Sequence, residues 1–272
     1  MKGPMDSLSY AVIGEAMAVH RELGPGVREE FYHRRLAARL KAIGVEHCSK
    51  PRRELVHRGC VADVFEPDIV IPSGLVLELK HLVGGFAPEH YVQLKCYLKL
   101  WRLRVGLLFD FGKEQLVTQR YLYDDPVVTR VEATALLAGL STGHAVRPAA
   151  EAACCALARV LTEHGGGYRD TTYNGLLRAD LAADGITCQL NPLASVTVAG
   201  EVLGESQFPG CIVGDLLLVK LLSQREGIRP ADLAVVQTWL RLLGLSVGLV
   251  AHFTKNSLEV GWVKPATRSL QS

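Results

Sequence analysis

Three charged residues are spaced so that they could do chemistry together: Asp68, Glu78 and Lys80. Asp68 opens the β-prone run Ile69-Val70-Ile71. The next run, Leu75 to Leu79, follows the turn Pro72-Ser73-Gly74 and carries Glu78, with Lys80 just after it. Residues two apart in a strand share a face, so Glu78 and Lys80 project together while Leu77 and Leu79 enter a core. If the two runs pair as a hairpin, Asp68 comes beside Glu78. Two carboxylates converging at a strand end can hold Mg²⁺ or Mn²⁺, hard cations that take oxygen ligands. A neighbouring ammonium can orient or help activate water, or bear charge on a scissile phosphate. Together these are the parts that phosphodiester hydrolysis asks of a protein. The spacing alone is unselective, because a chain with 28 Asp and Glu produces it by accident and Glu-Leu-Lys also suits the exposed edge of a strand. Asp63 is an alternative ligand if the register differs.

The elements that would position these groups follow from periodicity. Ser7 can cap a helix with Leu8, Val12, Ala16, Val19 and Leu23 on one stripe, ended by Gly24-Pro25-Gly26. A second helix runs from about Val27 to Ile43, with Phe31, Leu36 and Leu40 inward and Arg34, Arg35 and Arg39 outward. Short β-prone runs follow at Leu55-Val56, Val61–Phe65, Ile69–Ile71 and Leu75–Leu79. Pro88 starts a third helix with Tyr91, Leu94, Leu98 and Trp101 in line, and Val105–Phe109 is apolar throughout, as a buried central strand is. The layout is α/β with a mixed sheet.

The second half repeats the first. Val105-Gly-Leu-Leu-Phe-Asp-Phe111 is echoed by Val247-Gly-Leu-Val-Ala-His-Phe253, and Tyr97-Leu-Lys-Leu by Trp239-Leu-Arg-Leu. Gly26-x-x-Glu29-x-x-Tyr32 matches Gly167-x-x-Asp170-x-x-Tyr173, and Leu77-Glu-Leu-Lys80 matches Leu217-Leu-Val-Lys220. Offsets of 140 to 142 residues are far longer than a solenoid period, so the duplication is of whole domains. We expect domains at 1–123 and 148–272 joined by a linker at 124–147, where Asp-Asp-Pro and Ser-Thr-Gly-His break the pattern. In the second copy Gly210 stands near the place of Asp68, Leu218 near Glu78 and Val235 at Gln93; Lys220 and Asp170 remain. That copy lacks both sheet carboxylates and should be inactive.

The segment from Val19 through Gly26-Val-Arg-Glu29-Glu-Phe-Tyr32 resembles the signature of the GxxExxY protein family, a branch of the PD-(D/E)xK nuclease superfamily. The resemblance continues through Asp68-Ile-Val-Ile-Pro-Ser-Gly-Leu-Val-Leu-Glu78-Leu-Lys80, Gln93-Leu-Lys-Cys-Tyr97 and Val105-Gly-Leu-Leu. It implies two restriction-endonuclease-like domains, each a central mixed sheet flanked by helices. It implies that Asp68 and Glu78 bind the metal, that Lys80 is the catalytic lysine, and that Glu29 completes the metal shell. Gln93 and Tyr97 match a Gln-x-x-x-Tyr pair of recombination-type exonucleases, one helical turn apart; Tyr97 also fits a plain core aromatic. Tyr32 fits packing, and His20 a satisfied structural histidine.

Composition narrows the class. No apolar run reaches the ~18–20 residues of a membrane span, and no secretory leader is visible, so we expect a cytoplasmic protein without a membrane partner. Seven scattered cysteines without a Cys-x-x-Cys pair read as reduced, mostly buried thiols rather than a zinc or disulfide framework. The net charge is +2, but residues 28–58 hold nine Lys/Arg (28, 34, 35, 39, 41, 50, 52, 53, 58) against four Glu (29, 30, 46, 54), which suits a phosphate backbone or a solvated helix face. The expected function is a Mg²⁺- or Mn²⁺-dependent nuclease acting on DNA rather than RNA, with one live and one silent domain as an internal pseudo-dimer. A homodimer, or a protein docked on the silent half, is a further expected partner. The competing reading is a non-catalytic nucleic-acid-binding or protein-interaction module on a nuclease fold.

Overall fold

The protein is described here by a computed structural model covering residues 4–125, 127–140, 145–223 and 226–265. Ser141–His144, read above as part of the joint, lies outside the described residues, as does the opening Met1–Gly3.

The first copy runs α1 (Pro4–Leu23), α2 (Glu29–Ala42), β1 (Cys48–Ser49), β2 (Arg53–His57), β3 (Cys60–Phe65), β4 (Ile69–Ile71), β5 (Leu75–Lys80), α3 (Pro88–Trp101), β6 (Val105–Asp110) and β7 (Val117–Leu122). After a short α4 (Ala133–Leu136), the second repeats it as α5 (Arg147–His164), α6 (Asp170–Ala183), β8 (Cys188–Leu190), β9 (Leu193–Val198), β10 (Glu201–Gln207), β11 (Cys211–Val213), β12 (Leu217–Leu222), α7 (Pro230–Leu243), β13 (Val247–Phe253) and β14 (Leu258–Val263). The five-stranded sheets have the same order, β1-β4-β5-β6-β7 and β8-β11-β12-β13-β14. Each sheet is mixed, with a parallel central pair (β5 with β6, β12 with β13) between antiparallel neighbours. Each copy also has a separate two-stranded hairpin, β2-β3 or β9-β10.

By contacts the chain divides into two units, Met1–Leu55 with Val64–Asp125, and Val56–Asp63 with Pro126–Ser272. The tip of the β2-β3 hairpin therefore belongs to the second unit. So does α4, in the stretch read as a linker, where the Trp262 indole donates to the Leu136 carbonyl (3.0 Å).

In the first unit Val12, Ala16, Val19, Leu36 and Leu40 of the helices meet Ile69, Ile71, Leu75, Leu77, Leu79, Leu107 and Phe109 of the sheet in one buried cluster. Two details of the helix readings change. Ser7 lies inside α1, which already begins at Pro4, so it does not cap it. Phe31 is 40% exposed, with the Arg28 guanidinium 5.0 Å from its ring centroid, while Tyr32 takes the fully buried position. A one-residue shift on a helix moves a side chain by about 100°, enough to exchange inside for outside.

The shared Val-Gly of β6 and β13 has a packing reason. A Cβ on Gly106 would come within 2.8 Å of three Leu94 side-chain carbons, and one on Gly248 within 2.4 Å of Val236 Cγ1. Absence of a side chain lets α3 and α7 settle onto their sheets. All seven cysteines are free; Cys96, Cys154 and Cys211 are buried, but Cys48 and Cys155 are exposed, so burial is less general than expected.

Candidate metal and phosphate site

The candidate site lies in the first unit, where the β4-β5 register settles the first geometric question. The antiparallel pairs are Ile69↔Leu77, Val70↔Val76 and Ile71↔Leu75, so one further step along the ladder sets Asp68 opposite Glu78. Asp68 is pinned at both ends. Its Oδ2 accepts from the Leu79 amide (2.8 Å), and its carbonyl accepts from the Lys50 amide (2.8 Å) and lies 3.0 Å from His33 Nε2. Leu77 and Leu79 are fully buried in the core, so Glu78 and Lys80 face the other way, as alternation requires.

Lys80 Nζ donates to Glu78 Oε1 at 2.6 Å. Glu78 Oε2 is buried and has no hydrogen-bond partner. Burial first, and then the charge of Asp68, push the Glu78 carboxyl up to about 7. Asp68 is also raised, by burial, against the pull of the Leu79 amide and of Lys80. Glu29, the first residue of α2, is raised by burial and by Asp68, and Lys80 acts on it in the opposite sense. Burial opposes the charge of Lys80, but Glu78, Glu29 and Asp68 outweigh it and hold the ammonium charged. The structure thus brings Asp68, Glu78, Lys80 and Glu29 into one electrostatic group, each acting on the others.

A cluster of three mutually repelling carboxylates with one orphaned buried oxygen is short of positive charge. An oxygen-seeking divalent cation fits that deficit and would favour the ionised form of all three acids. The donor set of Asp68, Glu78 and Glu29 is all-oxygen, which suits Mg²⁺ or Mn²⁺.

Gln93 and Tyr97 are one turn apart on α3 and bond each other, the Gln93 amide donating to Tyr97 Oη (2.8 Å), which donates on to the Glu66 carbonyl (3.3 Å). Tyr97 is 6% exposed and packs edge-on against Phe65 and Trp101. Asp63, the alternative ligand, accepts from Thr172 Oγ1 (2.5 Å) and Arg169 (3.3 Å) inside the second unit. His20, whose Nε2 lies 2.8 Å from the Lys113 carbonyl, is 7% exposed and structural.

Two supporting residues escape sequence reasoning. His33 is buried behind Asp68 through the contact just given. Asp110, 1% exposed and paired with Lys80 across β5 and β6, accepts from the amides of Leu82 (3.0 Å) and Gly112 (2.9 Å) and so fixes the loop that follows Lys80. The signal for Asp110 was present, since it is the one acid in the apolar run Val105–Phe111.

The Gly-x-x-Glu/Asp-x-x-Tyr motif has a structural meaning common to both copies. Tyr32 Oη donates to the Gly24 carbonyl (2.7 Å) and accepts from the Val27 amide (3.3 Å); Tyr173 Oη donates to Gly165 (2.7 Å) and accepts from the Tyr168 amide (3.3 Å). Each ring stacks on the equivalent phenylalanine, Phe111 at 4.4 Å and Phe253 at 3.7 Å. Gly26 (φ 95°) and Gly167 (φ 112°) take backbone conformations that L side chains resist. The tyrosine locks the loop, and the loop delivers the acid at the start of the helix.

Register also corrects one equivalence. In the second sheet Cys211↔Val219 and Val213↔Leu217 replace Ile69↔Leu77 and Ile71↔Leu75, and Leu217↔Val247 replaces Leu75↔Val105. Lys220 therefore occupies the place of Glu78 and Leu222 that of Lys80, two residues from the match that paired Leu218 with Glu78 and Lys220 with Lys80. Gly210 keeps the Asp68 place. A two-residue slip preserves strand alternation, so pattern matching cannot detect it. A Cβ on Gly210 would lie 2.4 Å from both the Val219 carbonyl oxygen and Phe208 Cε1, so the carboxylate position is physically filled. The Lys220 ammonium lies 6.0 Å from the Phe208 ring centroid.

No curated protein matches the chain. The family model for the PD-(D/E)XK nuclease superfamily matches it twice, over residues 6–121 and again over 149–264. Those two matches coincide with the repeated sheets, and the chain belongs to the PD-(D/E)XK nuclease superfamily as a tandem duplication.

Proposed function

We propose that the protein is a Mg²⁺- or Mn²⁺-dependent deoxyribonuclease whose hydrolytic site is Asp68, Glu78, Glu29 and Lys80, and whose second domain is catalytically silent. The observation that carries this reading is the partnerless buried Glu78 Oε2 set beside Asp68. Lys80 serves only one oxygen of this buried carboxylate, and a cation at Oε2 would offset the remaining cost of burying it. The cation, when bound, supplies Lewis acidity and lowers the pKa of water. Asp68, Glu78 and Glu29 then act as its oxygen donors. Lys80, held charged, stabilises negative charge at the phosphate and steadies Glu78 through its 2.6 Å hydrogen bond. Leu79, through its amide, and His33, behind the carbonyl, orient Asp68. Gln93 and Tyr97 bond each other on α3, and Tyr97 braces that helix through the Glu66 carbonyl.

The silence of the second domain rests on Gly210, Lys220 and Leu222 standing where the acids and the lysine stand in the first. The basic surplus of residues 28–58 offers less to a phosphate backbone than its count suggests. Arg35, Arg39, Lys50 and Arg58 are all engaged with carboxylates.

The test is cleavage of single-stranded, duplex and branched DNA, with matching RNA, by purified protein in Mg²⁺ or Mn²⁺ alongside Glu78→Ala. Divalent-dependent cleavage of DNA that Glu78→Ala abolishes supports the proposal. Intact DNA under all conditions would leave a binding module on a nuclease fold.

A further inference from the structure

The second unit holds a different ligand set around His57. Its Nε2 lies 2.8 Å from Asp180 Oδ2, a fully buried carboxylate that also accepts from Arg159 and from Arg58 (3.3 Å). The other ring nitrogen of His57, Nδ1, faces His164 Nε2 at 3.0 Å and Glu163 Oε2 at 3.0 Å, and the last two are 4.0 Å apart. One potential ligand atom from each of three side chains thus converges on one point, close enough together to share a metal ion.

We propose that His57, His164 and Glu163 form a zinc site in the second unit, with Asp180 as the carboxylate behind His57. Zn–N and Zn–O bonds of about 2.0–2.2 Å at tetrahedral angles set ligand atoms roughly 3.3 Å apart, and the observed 3.0, 3.0 and 4.0 Å bracket that value. A carboxylate on the far nitrogen of a ligating histidine holds the ring in place, and Asp180 stands there at 2.8 Å from His57 Nε2. Two imidazoles and one carboxylate suit Zn²⁺ over Mg²⁺, so the two units select different ions. His57 is fully buried, whereas Glu163 is half exposed, which leaves a path for the ion and a fourth place for water. His57 comes from the β2 end of the hairpin tip and Asp180 from α6, while Glu163 and His164 close α5. The ion ties residues 56–63 to the two helices of the unit they belong to. The role is structural.

The experiment uses the full chain, stripped with chelator and titrated with Zn²⁺ and with Co²⁺ as a spectroscopic stand-in. Expected are one tight Zn²⁺ equivalent and a visible Co²⁺ band of tetrahedral intensity without thiolate charge transfer. A thermal midpoint about 5–10 °C higher is expected at a hundredfold excess over Kd. His164→Gln should weaken Zn²⁺ at least 100-fold and Glu163→Gln about 10-fold, both with unchanged circular dichroism. Asp68→Ala should leave this equivalent intact, so failure of the nuclease reading and failure of the zinc site are separate results. Equal Zn²⁺ affinity in wild type and His164→Gln overturns the proposal, as does a thiolate band or a midpoint indifferent to Zn²⁺.

Discussion

Glu78 is where the demands of folding and of chemistry oppose each other. Its carboxyl, ordinarily near 4.5, is pushed up to about 7 by burial and by Asp68. Between those values the native metal-free protein holds a proton that the unfolded chain releases. The stability from Glu78 is therefore full below about 4.5 and is lost as pH rises through about 7, a loss of at most roughly 3 kcal/mol. Chemical denaturation of metal-free protein from pH 5 to 8 should show this decline, and Glu78→Gln should flatten it while raising stability at pH 8. A wild-type profile as flat as that of the variant would mean that Glu78 ionises normally. Divalent affinity should run the other way and strengthen as pH rises through about 7, because the ion needs the carboxylate. Lys80→Met should cut cleavage by about 10²–10³-fold with little change in Mn²⁺ affinity, since the ammonium acts on phosphate charge more than on the ion; the two readings come from single-turnover kinetics and calorimetry.

Elements set the precision of that cluster. Glu29 reaches the group because the α1-α2 loop is locked by Tyr32 through two hydrogen bonds. Tyr32→Phe removes both while keeping the stack on Phe111, and should cost about 1–2 kcal/mol of unfolding free energy. Tyr173→Phe should cost a similar amount, yet only Tyr32→Phe should lower Mn²⁺ affinity. If both variants spare metal binding, Glu29 is not a ligand. The same logic predicts that the second copy, proposed to be silent, does not gain a metal site by one substitution. Gly210→Asp must drive a Cβ into the Val219 carbonyl and the Phe208 ring, and urea denaturation should show a loss of about 1–3 kcal/mol with no gain of metal binding.

For the whole chain, the proposal of one hydrolytic site per molecule predicts a product signature. A single chain should nick supercoiled duplex before linearising it, with linear product arising only from a second, independent event. Gel analysis of the time course at limiting protein separates the two. Simultaneous appearance of linear and nicked product would require two sites acting together, from paired chains or an active second domain. Among the described residues no helix is long and apolar enough to cross a membrane.

Much of this was legible without coordinates, because strand alternation and helical periodicity are local properties of the chain. The duplication, the mixed α/β layout, the β4-β5 hairpin and the shared face of Glu78 and Lys80 could all be read from spacing. Tertiary structure decided what local pattern cannot encode. It set the register that makes Lys220 the counterpart of Glu78, since a slip of two leaves alternation unchanged. It put Tyr32 inside and Phe31 outside, and enlisted Asp110 and His33 behind the site. It grouped residues 56–63 with the second unit and so brought His57 to Glu163 and His164, more than a hundred positions along the chain. Residue type and spacing say what a side chain can do; only the packed chain determines which distant group it meets.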